Sequence, residues 1–110
     1  MRHPDKFIEL IDECISSHME HKRLSVQELA NHCGYSRMSL YRNIKKATGL
    51  TPSQYLTEKK LHTAVKLLVN TNEPIKVISK RAGFSDNSYF SKKFKETFGC
   101  TPSSYCDQLK

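Results

Sequence analysis

The amino-acid sequence contains two stretches that are close copies of each other, GYSRMSLYRNIKKATGLTP at 34–52 and GFSDNSYFSKKFKETFGCTP at 83–102. The offset is 49 residues up to the shared Gly-aromatic-Ser triplet and 50 residues after it, so one residue is inserted just after Ser85. Because a repeated sequence builds a repeated structural unit, the 110 residues are expected to form two small units of the same architecture.

Each copy has the pattern of a short helix, a tight turn and a longer basic helix. Ser25 is followed three residues later by Glu28, which is the signature of a capping box, and Gly34 ends the short helix. The glycine of each copy permits the tight turn, and the aromatic residue after it, Tyr35 or Phe84, fills the angle between the two helices. This arrangement is a helix-turn-helix.

Start and stop signals along the chain predict an all-α fold of about seven helices, because the strict alternation typical of strands is missing from the sequence. Pro52 starts a long helix, Pro74 starts the next, and Ser85 or Asp86 caps the one after that. The predicted first helix covers about 5–19, and the longer helices of the two copies cover about 37–47 and about 86–97. The predicted divisions are a first helix-turn-helix subdomain at 1–50, a linker helix at 51–70 and a second helix-turn-helix subdomain at 71–110.

A helical wheel gives each longer helix one apolar sector and one exposed basic face. The sectors expected in the core are Leu40, Ile44 and Ala47, and Phe90, Phe94 and Thr97. The opposite faces hold Met38, Tyr41, Arg42 and Lys45, and Ser88, Ser91, Lys92 and Lys95. Cations mixed with adaptable side chains suit the major groove, where bases present hydrogen-bonding edges and thymine methyl groups. The alternative interpretation is that both are ordinary solvated faces.

The duplication favours the groove interpretation. A linker helix of about 18–20 residues is ~27–30 Å long. That length approaches the ~34 Å between successive major grooves on one side of B-DNA.

The charge distribution also favours a polyanionic partner. The chain has 18 Lys and Arg against 11 Asp and Glu, a net charge of +7, and residues 21–110 alone hold 16 basic against six acidic residues. A basic body of this kind binds nucleic acid or, alternatively, an anionic membrane surface. The sequence lacks an apolar run long enough to span a bilayer and lacks a basic-then-apolar export signal, so we expect a cytoplasmic protein with no membrane partner.

Patterns for catalysis and metal binding are missing from the sequence. The four cysteines form no C-x-x-C, and the five histidines have no zinc-type spacing with them. His18 and His21 could share a helix face, but a solvated pair is favoured over a metal site. Without an export signal disulfides are not expected, and Cys14 and Cys33 are interpreted as small core residues. With no nucleophile–base pair and no phosphate-binding loop, we expect neither an enzyme nor a cofactor, and no small-molecule ligand.

The segment from Lys60 to Tyr105 strongly resembles the signature of the arabinose-regulator (AraC/XylS) family of bacterial transcription factors. The positions that carry the resemblance are Leu61, Ala64, Leu68, Ile75, Ile78, Ala82, Gly83, Phe84, Tyr89, Phe90, Phe94, Gly99, Pro102 and Tyr105. The upstream half, LSVQELANHCGYSRMSLYRNIKKATGLTPSQYL, is similar to the family's first helix-turn-helix. The resemblance covers nearly the whole chain, and it implies two helix-turn-helix subdomains whose recognition helices enter consecutive major grooves of double-stranded DNA.

Carried over position by position, the resemblance implies two sets of DNA-contacting residues. The implied base-reading residues are Arg37, Met38, Tyr41 and Arg42 in the first half, and Asn87, Ser88, Ser91 and Lys92 in the second. The implied phosphate-binding residues are Lys45, Lys46, Lys93 and Lys95, together with N–H groups at helix starts. Arg42 and Lys92 can engage guanine, Asn87 can pair with adenine, and Met38 can contact a thymine methyl. Asp86 is interpreted mainly as an N-cap whose charge repels phosphate, so the second reader is expected to bind less tightly.

The sequence therefore predicts a sequence-specific regulator of transcription that binds double-stranded promoter DNA and, by the resemblance, acts as an activator in contact with RNA polymerase. Two organisations stay open, a small stand-alone regulator and the output domain of a larger one, since nothing in these residues forms a sensing domain. The competing interpretation is a protein-binding adaptor whose basic helices dock on acidic partners. A steep salt dependence of duplex binding separates the two.

Overall fold

The computed structural model describes residues 4–18 and 25–109, and within them the chain forms seven helices and no strand. The helices are α1 (Pro4–His18), α2 (Val26–Cys33), α3 (Arg37–Thr48), α4 (Pro52–Asn70), α5 (Ile75–Arg81), α6 (Asn87–Phe98) and α7 (Pro102–Leu109). The all-α prediction is confirmed. The predicted ends of α1, α3, α4 and α6 lie within one residue of the observed ends.

Helix starts follow the capping signals in the sequence. Ser25 Oγ accepts from the Glu28 backbone N–H at 3.1 Å, and Glu28 Oε1 accepts from the Ser25 N–H at 3.2 Å, which completes the capping box of α2. Ser36 caps α3 through its side chain in a similar way. Of the two candidates for α6, Asp86 is the N-cap. Asp86 is the residue inserted just after Ser85, and it stands 50 residues after Ser36, the cap of α3.

The tight turns between the paired helices depend on glycine. Gly34 follows α2 with a φ of +77°, and its counterpart Gly83 follows α5 with a φ of +100°. These values lie in the left-handed region, which glycine adopts without the steric cost that a Cβ imposes. The repeated turn therefore has the same physical cause in both copies.

The chain divides into two compact units, Met1–Lys59 and Lys60–Lys110, and the division falls within α4. Each unit has its own hydrophobic core. The buried core residues of the first unit are Ile11, Ile15, Leu29, Ala30, Leu40, Ile44, Tyr55 and Leu56. Those of the second unit are Leu61, Ala64, Leu68, Ile78, Ala82, Phe84, Phe90 and Phe94.

The first unit joins α1 to the start of α4 by polar contacts as well as packing. The Tyr55 hydroxyl donates to Asp12 Oδ1 at 2.6 Å, and Lys59 Nζ lies 3.3 Å from Asp12 Oδ2. At the other end of α1, the rings of Phe7 and Tyr35 meet edge to face with centroids 5.5 Å apart. Tyr35 is the aromatic of the turn, so the turn is packed against α1.

The second unit is built around aromatic rings that meet edge to face or at a tilt. Phe94 lies 5.7 Å from Phe90, 4.6 Å from Phe98 and 5.6 Å from Tyr105 between ring centroids. Phe84, from the turn, lies 5.0 Å from Phe90. These contacts fix α6 against both the turn and α7.

The predicted core sectors were wrong at one position in each longer helix. Ala47 and Thr97 are exposed, whereas Thr48 and Phe98, one residue further along, are half-buried. The buried rows run in steps of four residues, because neighbouring helices pack along the i±4 ridge, which is inclined to the helix axis. The Thr48 hydroxyl also donates to the Ile44 carbonyl at 2.8 Å, so its polar group is satisfied there.

In the ranges 4–18 and 25–109, no helix has both the length and the apolar character that crossing a bilayer requires.

Candidate nucleic-acid interface

The exposed face of α3 is oriented by the two side chains on its opposite side. Leu40 and Ile44 are fully buried in the first unit. This anchoring leaves the whole predicted base-reading set of the first half, Arg37, Met38, Tyr41 and Arg42, on the exposed surface. The α3 segment contains four cations and no acidic residue, so its surface attracts anions along its full length.

Met38 and Tyr41 are unusual for an exposed helix face. Met38 is 72% exposed and Tyr41 50% exposed. Clustered apolar side chains at a surface generally mark an interaction site. They border an open groove of about 600 Å³ lined by Val26, Arg37, Met38, Tyr41, Thr51, Pro52 and Ser53. The groove brings together the start of α2, the outer face of α3 and the start of α4.

Sequence reasoning missed the groove residues outside α3. Val26, in the first turn of α2, is half-buried and lines the groove. In the sequence Pro52 is a helix-start signal, and Ser53 is the residue that follows it. Their proximity to α3 depends on packing between elements, so no local pattern in the sequence could indicate it.

The exposed face of α6 is the counterpart in the second unit. Asn87, Ser88 and Lys92 are exposed, and Ser91 is half-buried. Phe90 and Phe94 are fully buried on the other side of the helix and hold this face outward. The structure thus places the predicted base-reading residues of the second half along one helix, with Ser91 the least accessible.

The start of α6 carries a negative charge beside these residues. Asp86 Oδ1 accepts from the Ser88 N–H at 2.8 Å and from the Tyr89 N–H at 3.5 Å. The interpretation of Asp86 as an N-cap is confirmed. Its carboxylate uses N–H groups that an incoming phosphate could otherwise contact at a helix start.

Tyr89 is a surface residue that the predicted site omitted. Its side chain is 44% exposed, and Lys93 Nζ lies 5.7 Å from the centroid of its ring. Lys93 Nζ is also 3.4 Å from Glu96 Oε1. Lys93 is therefore held by two neighbours, which makes it less available to a phosphate than a solvated lysine.

The remaining predicted phosphate-binding residues, Lys45, Lys46 and Lys95, are exposed near the C-terminal ends of α3 and α6. Cations at this end of a helix also complement its macrodipole, so a local stabilising role is the alternative for each of them.

Within the part of the chain that the structure describes, no three His, Cys, Asp or Glu side chains are grouped so that they could hold a metal ion. The pair considered from the sequence, His18 and His21, lies outside the residues whose side chains are described.

A family model described as "Helix-turn-helix domain" matches residues 18–108. Among curated proteins, the chain is similar to the "HTH-type transcriptional activator RhaR" of Mannheimia succiniciproducens, with 41% identity over 80 residues, covering 70% of this chain and 29% of the relative. It is similar to the "Probable transcriptional regulator LumQ" of Photobacterium leiognathi, with 33% identity over 96 residues, covering 87% of this chain and 38% of the relative.

The "Bifunctional transcriptional activator/DNA repair enzyme AdaA" of Bacillus subtilis shares 33% identity over 108 residues, covering 97% of this chain and 51% of the relative. The chain thus spans between 29% and 51% of the length of these three relatives.

Solved structures have the same fold. The C-terminal domain of the two-component response regulator yesN from Fusobacterium nucleatum matches with a TM-score of 0.80 and 29% identity, covering 92% of this chain and 98% of that one. An AraC-type regulator from Chromobacterium violaceum matches with a TM-score of 0.77 and 30% identity, covering 96% of both chains. The DNA-binding domain of AdpA, solved with a target DNA, matches in fold with a TM-score of 0.76 and 24% identity, covering 89% of this chain and 90% of that one.

Proposed function

The chain belongs to the AraC/XylS family of helix-turn-helix transcription regulators, and from this premise we propose that it binds double-stranded promoter DNA in a sequence-specific manner and regulates transcription. The observation that carries the proposal is the pair of exposed basic helix faces, on α3 and on α6, each backed by the core of its own repeat unit. A single basic helix face is common among soluble proteins. Contact with two groove segments requires two such faces, and this chain has one on each copy of the motif.

The side chains on the two faces suit different parts of a base-pair edge. Arg42 and Lys92 donate hydrogen bonds to guanine acceptors, and Asn87 both donates to and accepts from adenine. Met38 supplies an apolar surface for a thymine methyl group. Lys45, Lys46 and Lys95 stand at the helix ends, where contacts to phosphate fix the register without reading sequence.

Several features of the function rest on the relatives alone. RhaR and AdaA are activators by name, and on that basis we propose activation rather than repression, through contact with RNA polymerase. For a regulator that binds promoter DNA in a bacterial family we propose a cytoplasmic location. The repair activity in the name of AdaA belongs to that protein, of which this chain covers 51%. For these residues we propose DNA binding without catalysis, and we assign α4 the role of the linker between two readers.

Selection from a pool of random DNA duplexes tests the proposal directly. The expected result is two clusters of preferred base pairs with centres about one helical turn, ~10 base pairs, apart. Enrichment of no sequence, or of one short cluster only, would contradict a two-reader domain.

Two substitutions then separate base reading from phosphate binding. Arg42→Ala should relax the preference at one position of the first cluster, at a cost of about 1–3 kcal/mol on the preferred sequence. Lys95→Ala should weaken all sequences to a similar extent. Lys66→Ala is the control, because Lys66 is an exposed cation of α4 outside both reader faces. A loss from Arg42→Ala that is equal on all sequences, as expected for Lys95→Ala, would show that Arg42 does not read a base.

A further inference from the structure

Two cysteines of the first unit lie in direct contact. Cys14 lies on α1, Cys33 is the last residue of α2, and their sulfur atoms are 2.9 Å apart. Both thiols are half-buried. The two helices are fixed on either side of this contact by fully buried side chains, Ile11 and Ile15 of α1 and Leu29 of α2. The sulfur atoms are therefore held together by the packing of the unit.

We propose that Cys14 and Cys33 form a reversible oxidation site, which a low-molecular-weight disulfide such as oxidised glutathione converts into an intramolecular disulfide between α1 and α2. A disulfide bond is ~2.05 Å long, so the two sulfur atoms need to approach by less than ~1 Å. Disulfides of proteins that work in a reducing compartment are generally transient and redox-sensing, which is the class that this site fits.

The roles of the two thiols follow from their environments. Burial and the neighbouring Cys14 raise the pKa of Cys33 to about 12, and Cys33 Sγ donates its proton toward Cys14 Sγ. Cys33 therefore forms the attacking thiolate less readily than an ordinary cysteine, so we assign the first attack to Cys14.

The reaction proceeds in two exchanges. The Cys14 thiolate attacks one sulfur of the oxidised glutathione, forms a mixed disulfide and releases one glutathione thiolate. Cys33 then loses its proton to solvent and attacks the Cys14 sulfur, which forms the Cys14–Cys33 bond and releases the second glutathione thiolate. The two glutathione thiolates take up the two protons that the cysteines lost. Two protein thiols are oxidised, and one glutathione disulfide is reduced to two thiols.

The disulfide should stabilise the first unit. The bond would close a loop from Cys14 to Cys33, and closing a loop restricts the unfolded chain. The base-reading face of α3 contains no cysteine. We therefore expect the oxidised domain to be more stable than the reduced one while its α3 surface stays chemically unchanged.

The test treats the full chain with excess oxidised glutathione, blocks remaining thiols and maps peptides by mass spectrometry without reduction. The expected product is a monomer that has lost two hydrogen atoms, with the link between the Cys14 and Cys33 peptides, and dithiothreitol should reverse it. The thermal midpoint should rise by at least about 5 °C on oxidation. The double variant Cys100→Ser/Cys106→Ser, which removes the two thiols of the second unit, should still form the link.

Cys14→Ser and Cys33→Ser should each abolish the intramolecular link. No link in the unmodified chain, a link through Cys100 or Cys106, or a link that lowers the thermal midpoint would overturn the proposal. These readouts need no DNA. A chain that forms the link but selects no duplex would therefore contradict the proposed function and leave the oxidation site standing.

Discussion

Tyr55 is the side chain that attaches α4 to α1 in the first unit. Its ring is buried, and its hydroxyl donates to Asp12 Oδ1 at 2.6 Å. Burial and then the hydrogen bond to Asp12 raise the pKa of Tyr55 well above its ordinary range. The folded state thus favours the protonated phenol. The stabilisation is complete below the pKa of an unfolded-chain tyrosine, ~10, and is lost as pH rises above that value.

Tyr55→Phe should lower the free energy of unfolding by about 1–2 kcal/mol at pH 7, because it removes a part-buried hydrogen bond to a carboxylate. The difference from the unmodified chain should shrink above pH ~10, where the phenol of the unfolded chain ionises. Urea denaturation followed by circular dichroism at several pH values measures both effects.

Tyr41→Phe is the matched control for that experiment. Tyr41 is 50% exposed on α3, so the same chemical change should alter the unfolding free energy by less than ~0.5 kcal/mol. Equal costs at the two tyrosines would mean that the contact with Asp12 does not stabilise the first unit.

At the scale of the helix, Asp86 has two opposed effects on α6. Its carboxylate caps the helix through the N–H groups of Ser88 and Tyr89. A negative charge at a helix N-terminus is also favourable with the macrodipole. The same charge stands next to Asn87 and Ser88, where the proposed function places the DNA backbone and bases. Capping and DNA binding therefore make opposite demands on one side chain.

Asp86→Asn separates these demands. Asparagine caps helices about as well as aspartate, so the free energy of unfolding should change by no more than about 0.5 kcal/mol. Duplex affinity at low salt should rise roughly threefold, since an exposed charge contributes less than about 1 kcal/mol. Asp86→Ala is the comparison, and loss of the cap should cost about 1 kcal/mol of stability. Fluorescence anisotropy and urea denaturation supply the two measurements.

A fall in duplex affinity on Asp86→Asn, the opposite of the expected result, would indicate that Asp86 contacts a base. A weaker complex, with stability retained, would indicate that the carboxylate accepts a hydrogen bond from a cytosine amino group. Asp86 would then be a base-reading residue as well as a cap.

Helix ends were predictable from the sequence because their causes are local. Ser25 with Glu28, and the glycine of the turn at Gly34, each act within four residues of the helix end that they determine. The repeat aligns Ser36, the cap of α3, with Ser85, so the choice of Asp86 as the cap of α6 comes from the structure and not from the repeat.

The parts that could not be predicted depend on contacts between elements. The wheel placed Ala47 in the core because it lies close to Leu40 in angle, but the direction of the packed neighbours selects Thr48 instead. In the same way, the contacts that hold Lys93 depend on where the rings and carboxylates of α6 come to lie. Charge and periodicity are enough to identify the two faces. Which cations on them are free of contacts with neighbouring side chains depends on the packed structure.

At the scale of the whole molecule, the net charge of +7 is concentrated on the proposed readers. The α3 segment carries Arg37, Arg42, Lys45 and Lys46 with no acidic residue, and α6 carries three lysines against one glutamate. A field of this kind speeds the encounter with a polyanion and makes the complex sensitive to salt.

Each phosphate that the domain neutralises should contribute about −0.9 to the slope of log affinity against log salt concentration. Contacts from Lys45, Lys46 and Lys95 therefore predict a slope of about −3 or steeper for the unmodified chain. Lys45→Ala/Lys46→Ala should flatten the slope by about 2. Lys93→Ala should change the slope by less than Lys95→Ala does, since Lys93 is already paired with Glu96 and its ammonium group lies over the ring of Tyr89.

Met38→Ala is the control that separates the effect of charge on binding from the effect of apolar contact. It removes an exposed apolar side chain from the first turn of α3, so affinity for the selected duplex should fall while the salt slope stays unchanged. A flat slope in the unmodified chain would contradict contact with several phosphates, since counterion release accompanies every such contact. The basic faces would then bind acidic groups of a protein, because such binding releases no condensed counterions. In that case the adaptor interpretation would explain the charge better than DNA binding does.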